Sequence, residues 1–121
     1  MGFVDGRFPL ADGSGAPPAA LLDEIVRRIV EGVRPRRIVL FGSAARGRMG
    51  PHSDIDLLVV MPDGVHRGRT AAEIYRLLWG VRAAKDVVVV TEGDVRERGE
   101  DPSLVIGEAL RNGRELYRGV G

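Results

Sequence analysis

The sequence predicts an α+β domain in which helices pack on a small, mixed β-sheet. Two observations predict this fold class: apolar residues recur at helical spacing in three segments, and three short runs rich in valine, isoleucine and leucine separate them. With a short helix between the first two strands, the resulting order is helix, strand, helix, strand, helix, strand, helix. Such α/β-like alternation is typical of two or three layers built around one sheet. At 121 residues, the chain has the length of one common domain.

The first helix is predicted to begin at Ala19. Its apolar stripe consists of Leu22, Ile25, Val26, Ile29 and Val30. Gly32 and Pro35 are expected to stop this helix, because both residues disfavour its continuation. The preceding residues, 1–18, are rich in glycine and proline and predict a flexible leader ahead of a single domain spanning residues 19–121.

Three buried strands are predicted at Arg37–Phe41, Asp54–Val60 and Asp86–Val90, because each run is β-branched and apolar. The stretch from Ala44 to Ser53 leaves room for only a short helix and a loop. The first two strands are therefore expected to pair as neighbours.

Two more amphipathic helices follow the second and third strands. Their apolar stripes consist of Ala71, Ile74, Leu78 and Val81 in one, and of Leu104, Val105, Ile106, Ala109 and Leu110 in the other. Asp101 is predicted to cap the last helix, with Pro102 at its first helical position. Asn112 and Gly113 are expected to end it, and Glu115 to Arg118 to form a short tail.

The composition argues against some classes of partner and excludes some kinds of chemistry. The 18 basic and 17 acidic residues nearly cancel, so net charge does not indicate a nucleic-acid partner. The chain has no cysteine, which excludes disulfides, thiolate metal sites and a cysteine nucleophile. We expect a cytoplasmic protein with no membrane association, since no apolar run approaches the roughly 20 residues of a membrane helix.

Two carboxylates stand at the start of the second predicted strand. Asp54 and Asp56 are two residues apart, so in a strand both side chains lie on one face, about 6–7 Å apart along the backbone. Two such charges repel each other, and a hard divalent cation with oxygen ligands relieves that repulsion. The pair predicts a Mg²⁺ site, whereas an isolated pair of this kind is more often a solvated strand cap.

A phosphate-binding turn is predicted at Gly42 and Ser43, where the first strand ends. Glycine lets the backbone approach a phosphate, and the following amides and the Ser43 hydroxyl can donate to its oxygens. Arg46 could pair with the same polyphosphate. The alternatives are an ordinary turn and a solvated arginine. A third acid, Asp86, opens the third strand on the same face as Val88.

The stretch Arg37 to Val60, RIVLFGSAARGRMGPHSDIDLLVV, resembles the signature of the DNA polymerase beta-like nucleotidyltransferase superfamily, in particular its short minimal nucleotidyltransferase branch. That signature is Gly-Ser, about ten residues, then Asp-x-Asp, and ten residues separate Ser43 from Asp54 here. The similarity continues to Tyr117 and covers nearly everything after residue 19. It implies a palm-like nucleotidyltransferase fold.

The resemblance also implies roles for single residues. Gly42 and Ser43 match the loop that binds the triphosphate of ATP or another nucleoside triphosphate. Asp54 and Asp56 match the ligands of the Mg²⁺ that bridges the phosphates. Asp86 matches the third catalytic carboxylate, which helps to hold a second Mg²⁺ and can accept the proton of an attacking hydroxyl.

The activity implied is transfer of a nucleoside monophosphate, with AMP expected, to an acceptor hydroxyl. Larger relatives carry an added helical domain for the acceptor, so a short chain is expected to act on a protein partner, such as a helical HEPN toxin that it modifies as an antitoxin. Two alternatives stay open. The chain could neutralise its partner by occlusion without catalysis, or it could be a small-molecule adenylyltransferase that works as a homodimer.

Several other residues have a structural explanation that we prefer to a functional one: His52, His66, Arg67, Arg69, Trp79, Glu92 and Asp94. The histidines and arginines are expected on solvated loops, although they could touch a nucleotide or RNA. The tryptophan is expected in the core or at an interface. The two acids are expected in a turn that starts a helix, although they could lie near the carboxylate site.

Overall fold

A computed structural model describes residues 16–50 and 53–119 of the chain. Most of the predicted leader and His52 lie outside these described residues. Within them, the helices are α1 (Ala19–Val33), α2 (Gly42–Ala45), α3 (Arg67–Leu77), α4 (Glu92–Arg98) and α5 (Val105–Asn112), and the strands are β1 (Arg37–Phe41), β2 (Ile55–Met61), β3 (Lys85–Thr91) and β4 (Arg114–Arg118). No helix in the described ranges has the length and apolarity that crossing a bilayer requires.

The strands form one mixed sheet in the order β3-β2-β1-β4. β1 pairs antiparallel with both β2 and β4, whereas β2 pairs parallel with β3. A parallel pair needs a crossover between its strands, and α3 lies in that connection. The sheet confirms the predicted α+β class and the pairing of the first two strands.

Each face of the sheet has its own core. Because side chains alternate along a strand, Leu57 and Val59 of β2 join the core that α1 and α3 cover. Leu58 and Val60 point the other way, into a smaller core with Ile106 of α5. All of these side chains are buried, and burying each apolar side chain contributes about 1.5–3 kcal/mol of transfer free energy. The second face carries Asp56 and therefore positions the site described below.

The fourth strand corrects the prediction of a short tail at Glu115 to Arg118. Residues Arg114–Arg118 pair with the free edge of β1, with an irregularity in register between Ile38 and Val39. The five residues of this strand are mostly exposed, so they lack the apolar pattern that predicts a strand. They become a strand because β1 offers unpaired backbone groups at that edge.

Two helix boundaries also differ from prediction. The last helix begins at Val105, because the Asp101 carboxylate accepts hydrogen bonds from the amide and hydroxyl of Ser103, at 2.9 and 2.6 Å. This local side-chain bond makes a turn in place of the predicted N-cap. The helix before β3 ends at Leu77, earlier than its stripe suggested, although Val81 is still buried in the following turn.

Trp79 lies on the surface, so a place in the core is wrong, whereas a place at an interface stays a prediction. Trp79 is 84% exposed and lies just after the end of α3. Replacement by alanine is therefore expected to change the free energy of unfolding by less than about 0.5 kcal/mol, which urea denaturation would measure. Trp79 is the only tryptophan, so its native fluorescence should resemble that of a solvated indole. A blue-shifted native emission, or a loss above about 1 kcal/mol, would contradict this placement.

Candidate active site

Two of the predicted carboxylates lie side by side on neighbouring strands. Asp56 of β2 is the register partner of Asp86 in β3, and the backbones of paired strands are about 4.8 Å apart. Partners in a parallel pair point to the same face, which here is the face covered by α5. Asp54 lies one residue before β2, at the same end of the sheet. The fold therefore brings all three predicted acids together.

The electrostatics of Asp56 reflect this crowding. Burial raises the pKa of Asp56, and the negative charges of Asp86, Asp54 and Glu108 raise it further. Within the described ranges, no arginine or lysine forms an ion pair with Asp54, Asp56 or Asp86. The cluster thus has an excess of negative charge that a cation would neutralise.

Gly42 contacts the carboxylate of Asp56 directly. Phe41, the last residue of β1, is the register partner of Asp56, so the chain turns into α2 beside this side chain. Gly42 has φ +72°, a left-handed conformation that disfavours residues with a side chain. A Cβ at this position would also overlap Asp56 Oδ2. The glycine predicted from the motif is thus favoured for two reasons, its backbone conformation and the approach of the acid.

The turn after β1 exposes hydrogen-bond donors beside the acids. The first amides of a helix have no intrahelical acceptor, and α2 begins at Gly42 and Ser43. Ser43 is half-buried, and its hydroxyl forms no hydrogen bond within the described part of the chain. The turn is closed behind these donors, because the Arg48 amide donates to the Ser43 carbonyl at 2.8 Å. The donors and the acids therefore border one surface.

Arg46 lies next to this turn and has a partner that the sequence analysis missed. Its Nη2 donates to Oε1 of Glu108 at 2.7 Å. Glu108 stands on α5, 62 residues further along the chain, and its charge also reaches Asp56. No local motif marks this residue, because its position depends on how α5 docks onto β1.

Comparison with known proteins agrees with this arrangement. The family model of the nucleotidyltransferase domain matches residues 22–116, which is most of the chain. The chain belongs to the nucleotidyltransferase domain family. A crystal structure from Sulfolobus solfataricus, of a protein provisionally described as a nucleotidyltransferase, is similar in fold with a TM-score of 0.60 and 22% identity, and the match covers 95% of this chain and 93% of that one. No curated protein matches the sequence with significance.

The family generally uses a nucleoside triphosphate and a divalent metal, and the acids of this nucleotidyltransferase domain suit such an ion. Mg²⁺ prefers carboxylate oxygens and tolerates one or two protein ligands beside phosphate oxygens. Among the described residues, no group of three His, Asp or Glu side chains is already arranged to hold a metal.

The acids Glu92 and Asp94 lie at the other end of the sheet of this nucleotidyltransferase domain, so the alternative that they belong to the site is wrong. They follow β3, whereas Asp86 lies near its beginning, and five strand residues span roughly 16 Å. Asp94 forms a capping box with Thr91 at the start of α4. Glu92 lies 3.6 Å from Arg36. Both acids have structural partners, and the predicted helix start is confirmed.

The ion pair between Asp94 and Arg67 gives a pH-dependent contribution to stability. Hydrogen bonds from Arg67, at 2.8 and 2.7 Å, and from the Thr91 amide lower the pKa of Asp94 to about 2. This contribution is complete above the unfolded pKa, near 4, and disappears as the pH falls through about 2. Since Arg67 is 55% exposed, solvent screening keeps the share of the ion pair in this contribution small.

Asp94→Ala is therefore expected to lower the free energy of unfolding by about 1–2 kcal/mol at pH 7, because it removes a helix cap as well as the ion pair. The difference from wild type should shrink below pH 3. Urea denaturation at pH 7 and below pH 3 measures this difference. Glu97 is an exposed acid of the same helix, so Glu97→Ala is the control. An equal loss at both pH values would rule out the ion pair as the source.

Around the start of α3 lie His66, Arg67 and Arg69, and the prediction that the two arginines belong to a loop is wrong, because both lie in the first turn of this helix. His66 is the N-cap of α3, where its Nδ1 accepts a hydrogen bond from the Arg69 amide at 3.1 Å. This capping role explains the histidine without a ligand. Arg67 is engaged by Asp94, as described above, and the Arg69 side chain is exposed.

Two surface grooves lie away from the carboxylates. One, of about 380 Å³, runs between α1 and β4, and another, of about 370 Å³, lies at the Arg36 end of the sheet. Neither is lined by a predicted site residue. The candidate site is the surface at the Asp56 end of the sheet, which neither of these two grooves includes.

Proposed function

We propose that this nucleotidyltransferase domain is a Mg²⁺-dependent enzyme that transfers a nucleoside monophosphate, by preference AMP, from a nucleoside triphosphate to an acceptor hydroxyl. One observation carries the proposal. Asp56 stands beside Asp86 on one side and against Gly42 of the α2 turn on the other. A metal held by the acids and a triphosphate held by the turn would therefore meet at Asp56.

The residues of the α2 turn bind the phosphates in this proposal. The amides of Gly42 and Ser43 and the Ser43 hydroxyl donate to phosphate oxygens, and glycine leaves room for the close approach. Arg46 adds a charge-assisted hydrogen bond. Asp54 and Asp56 would hold the metal beside this turn, so that donors and acids together would orient the substrate.

The transfer itself is an in-line displacement at the α-phosphorus. The acceptor oxygen forms a bond to phosphorus, the bond to the bridging oxygen breaks, and pyrophosphate leaves with that electron pair. Asp86 takes the proton of the acceptor hydroxyl and helps to hold a second ion. Bound Mg²⁺ supplies positive charge that stabilises the attacking and leaving oxygens. The described residues supply no thiol or serine-histidine pair, and this chemistry needs none.

The acceptor in this proposal is a hydroxyl on a protein partner of the helical HEPN type. Exposed apolar side chains at the start of α5 support a docking partner, since Leu104 is 38% and Val105 is 50% exposed. Leu104 is the N-cap residue of α5 and lies one helical turn before Glu108. We also propose a domain spanning residues 19–121 and a cytoplasmic location, which the absence of cysteine supports.

Calorimetric titration of the chain with ATP tests the proposal, with and without Mg²⁺. We expect binding that depends on the metal, and tighter binding of ATP than of GTP, CTP or UTP. Absence of binding to a folded chain would contradict the enzyme and favour a module that acts by occlusion. Incubation with α-labelled ATP and a candidate partner then identifies the acceptor, because the label is transferred with the monophosphate.

A further inference from the structure

The ion pair between Arg46 and Glu108 links the α2 turn to the last helix. Only Nη2 of the guanidinium is bonded to Glu108, at 2.7 Å. Arginine has five N–H donors in a rigid plane, so four remain for another partner. An arginine held by one nitrogen can thus present its remaining donors to an oxyanion in a defined orientation.

Both ends of this ion pair are anchored. The Arg46 amide donates to the carbonyls of Gly42 and Ser43, at 3.3 and 3.2 Å, so its backbone belongs to the same turn as the predicted phosphate donors. Glu108 is held by α5, whose Ala109 is fully buried against the sheet. A Cβ at Gly113, which follows this helix, would contact the Leu40 carbonyl of β1 at 2.7 Å. The helix therefore sits close on the sheet and holds Glu108 firmly.

Glu108 is also near the acids. Its charge contributes to the raised pKa of Asp56, after those of Asp86 and Asp54. Arg46 is thus held between a helix carboxylate and the turn that borders the acid cluster. Its side chain is 51% exposed, so its unused donors are accessible to a ligand on that surface.

We propose that Glu108 is a positioning residue that holds the Arg46 guanidinium toward the triphosphate of the incoming nucleotide. The inference rests on the proposed function, since it assumes a phosphate-bearing substrate at the α2 turn. Fixing the arginine before the substrate arrives reduces the side-chain entropy lost on binding.

If Glu108 positions Arg46, its neutralisation has the opposite effect on anion binding to the effect expected from charge repulsion alone. Glu108 is negative and lies near the surface on which the triphosphate binds, so neutralising it would strengthen anion binding if Glu108 acted only through space. If Glu108 acts by holding Arg46, the same change weakens anion binding. The sign of the effect therefore separates the two roles.

A double-mutant cycle with Arg46→Ala and Glu108→Gln tests the inference. Its readout is the dissociation constant for ATP, and separately for inorganic tripolyphosphate, in saturating Mg²⁺. We expect Arg46→Ala to weaken binding about tenfold or more, because it removes a charge-assisted bond. Glu108→Gln should weaken it about three- to tenfold, and the double variant should bind no more weakly than Arg46→Ala alone.

The ion pair between Arg67 and Asp94 provides a matched control, since it has the same length of 2.7 Å and lies at the other end of the sheet. A double-mutant cycle on Arg67 and Asp94 should show coupling in the free energy of unfolding and no coupling in the dissociation constant for ATP. Independent, additive effects of Arg46→Ala and Glu108→Gln, or tighter binding by Glu108→Gln, would overturn the positioning role alone. Failure of the folded wild type to bind ATP and tripolyphosphate would overturn both this role and the proposed function.

Discussion

Replacing Asp56 by asparagine is expected to abolish metal-dependent ATP binding and, at the same time, to stabilise the free protein. Asparagine has nearly the same shape but no charge, so it contributes much less to a cation site. A loss of several kcal/mol of metal interaction weakens binding by more than about 100-fold. Calorimetry with Mg²⁺ and ATP measures this loss.

The gain in stability follows from the raised pKa of Asp56. Burial and the neighbouring charges of Asp86, Asp54 and Glu108 disfavour the ionised carboxylate in the folded state. The stability that protonated Asp56 contributes is present below the pKa of an aspartate in the unfolded chain, near 4. It is lost as the pH rises through the higher pKa of Asp56 in the folded protein. At pH 7 the variant should therefore have a higher free energy of unfolding than wild type, and the difference should disappear as the pH falls to 3.

Asp23→Asn is the matched control, because this aspartate is exposed on α1, away from the cluster. It should change neither ATP binding nor stability. A destabilised Asp56→Asn protein at pH 7 would show that the acid has a favourable partner in the folded state. Retained metal-dependent binding would exclude Asp56 as a ligand.

The second large effect is expected for Gly42→Ala. An alanine at φ +72° has an unfavourable left-handed backbone, which costs about 1–2 kcal/mol. Its Cβ would also displace the Asp56 carboxylate, since the two would overlap. We therefore expect a loss of more than about 2 kcal/mol of stability and at least tenfold weaker ATP binding.

Gly64→Ala separates the two causes. Gly64 has φ +95°, and a Cβ there would meet nothing within 4 Å, so this variant reports the backbone cost alone. It should lose about 1 kcal/mol and bind ATP like the wild type. Equal losses of stability in the two variants, with ATP binding intact in both, would mean that Asp56 moves aside freely and that its contact with Gly42 has no function.

Much of the fold could be predicted because it depends on short-range patterns. The limits of β1 agree with its run of apolar residues, Arg37–Phe41, and α1 ends beside Gly32 and Pro35 as expected. Helical and strand periodicities are visible within ten to fifteen residues, since each element must bury one face. Arg114–Arg118 has no such pattern and is a strand only because β1 lies beside it.

By itself, the sequence determined the fold class, the family signature and the choice of Gly42, Ser43 and the acids as candidate site residues, because apolar periodicity and a motif of fixed spacing are local patterns. The tertiary structure decided which distant residues join them. The register of β3 brings Asp86 beside Asp56, and the docking of α5 brings Glu108 to Arg46. The physical reason is that contacts between residues far apart in the chain depend on how whole elements pack, and no local pattern records that packing.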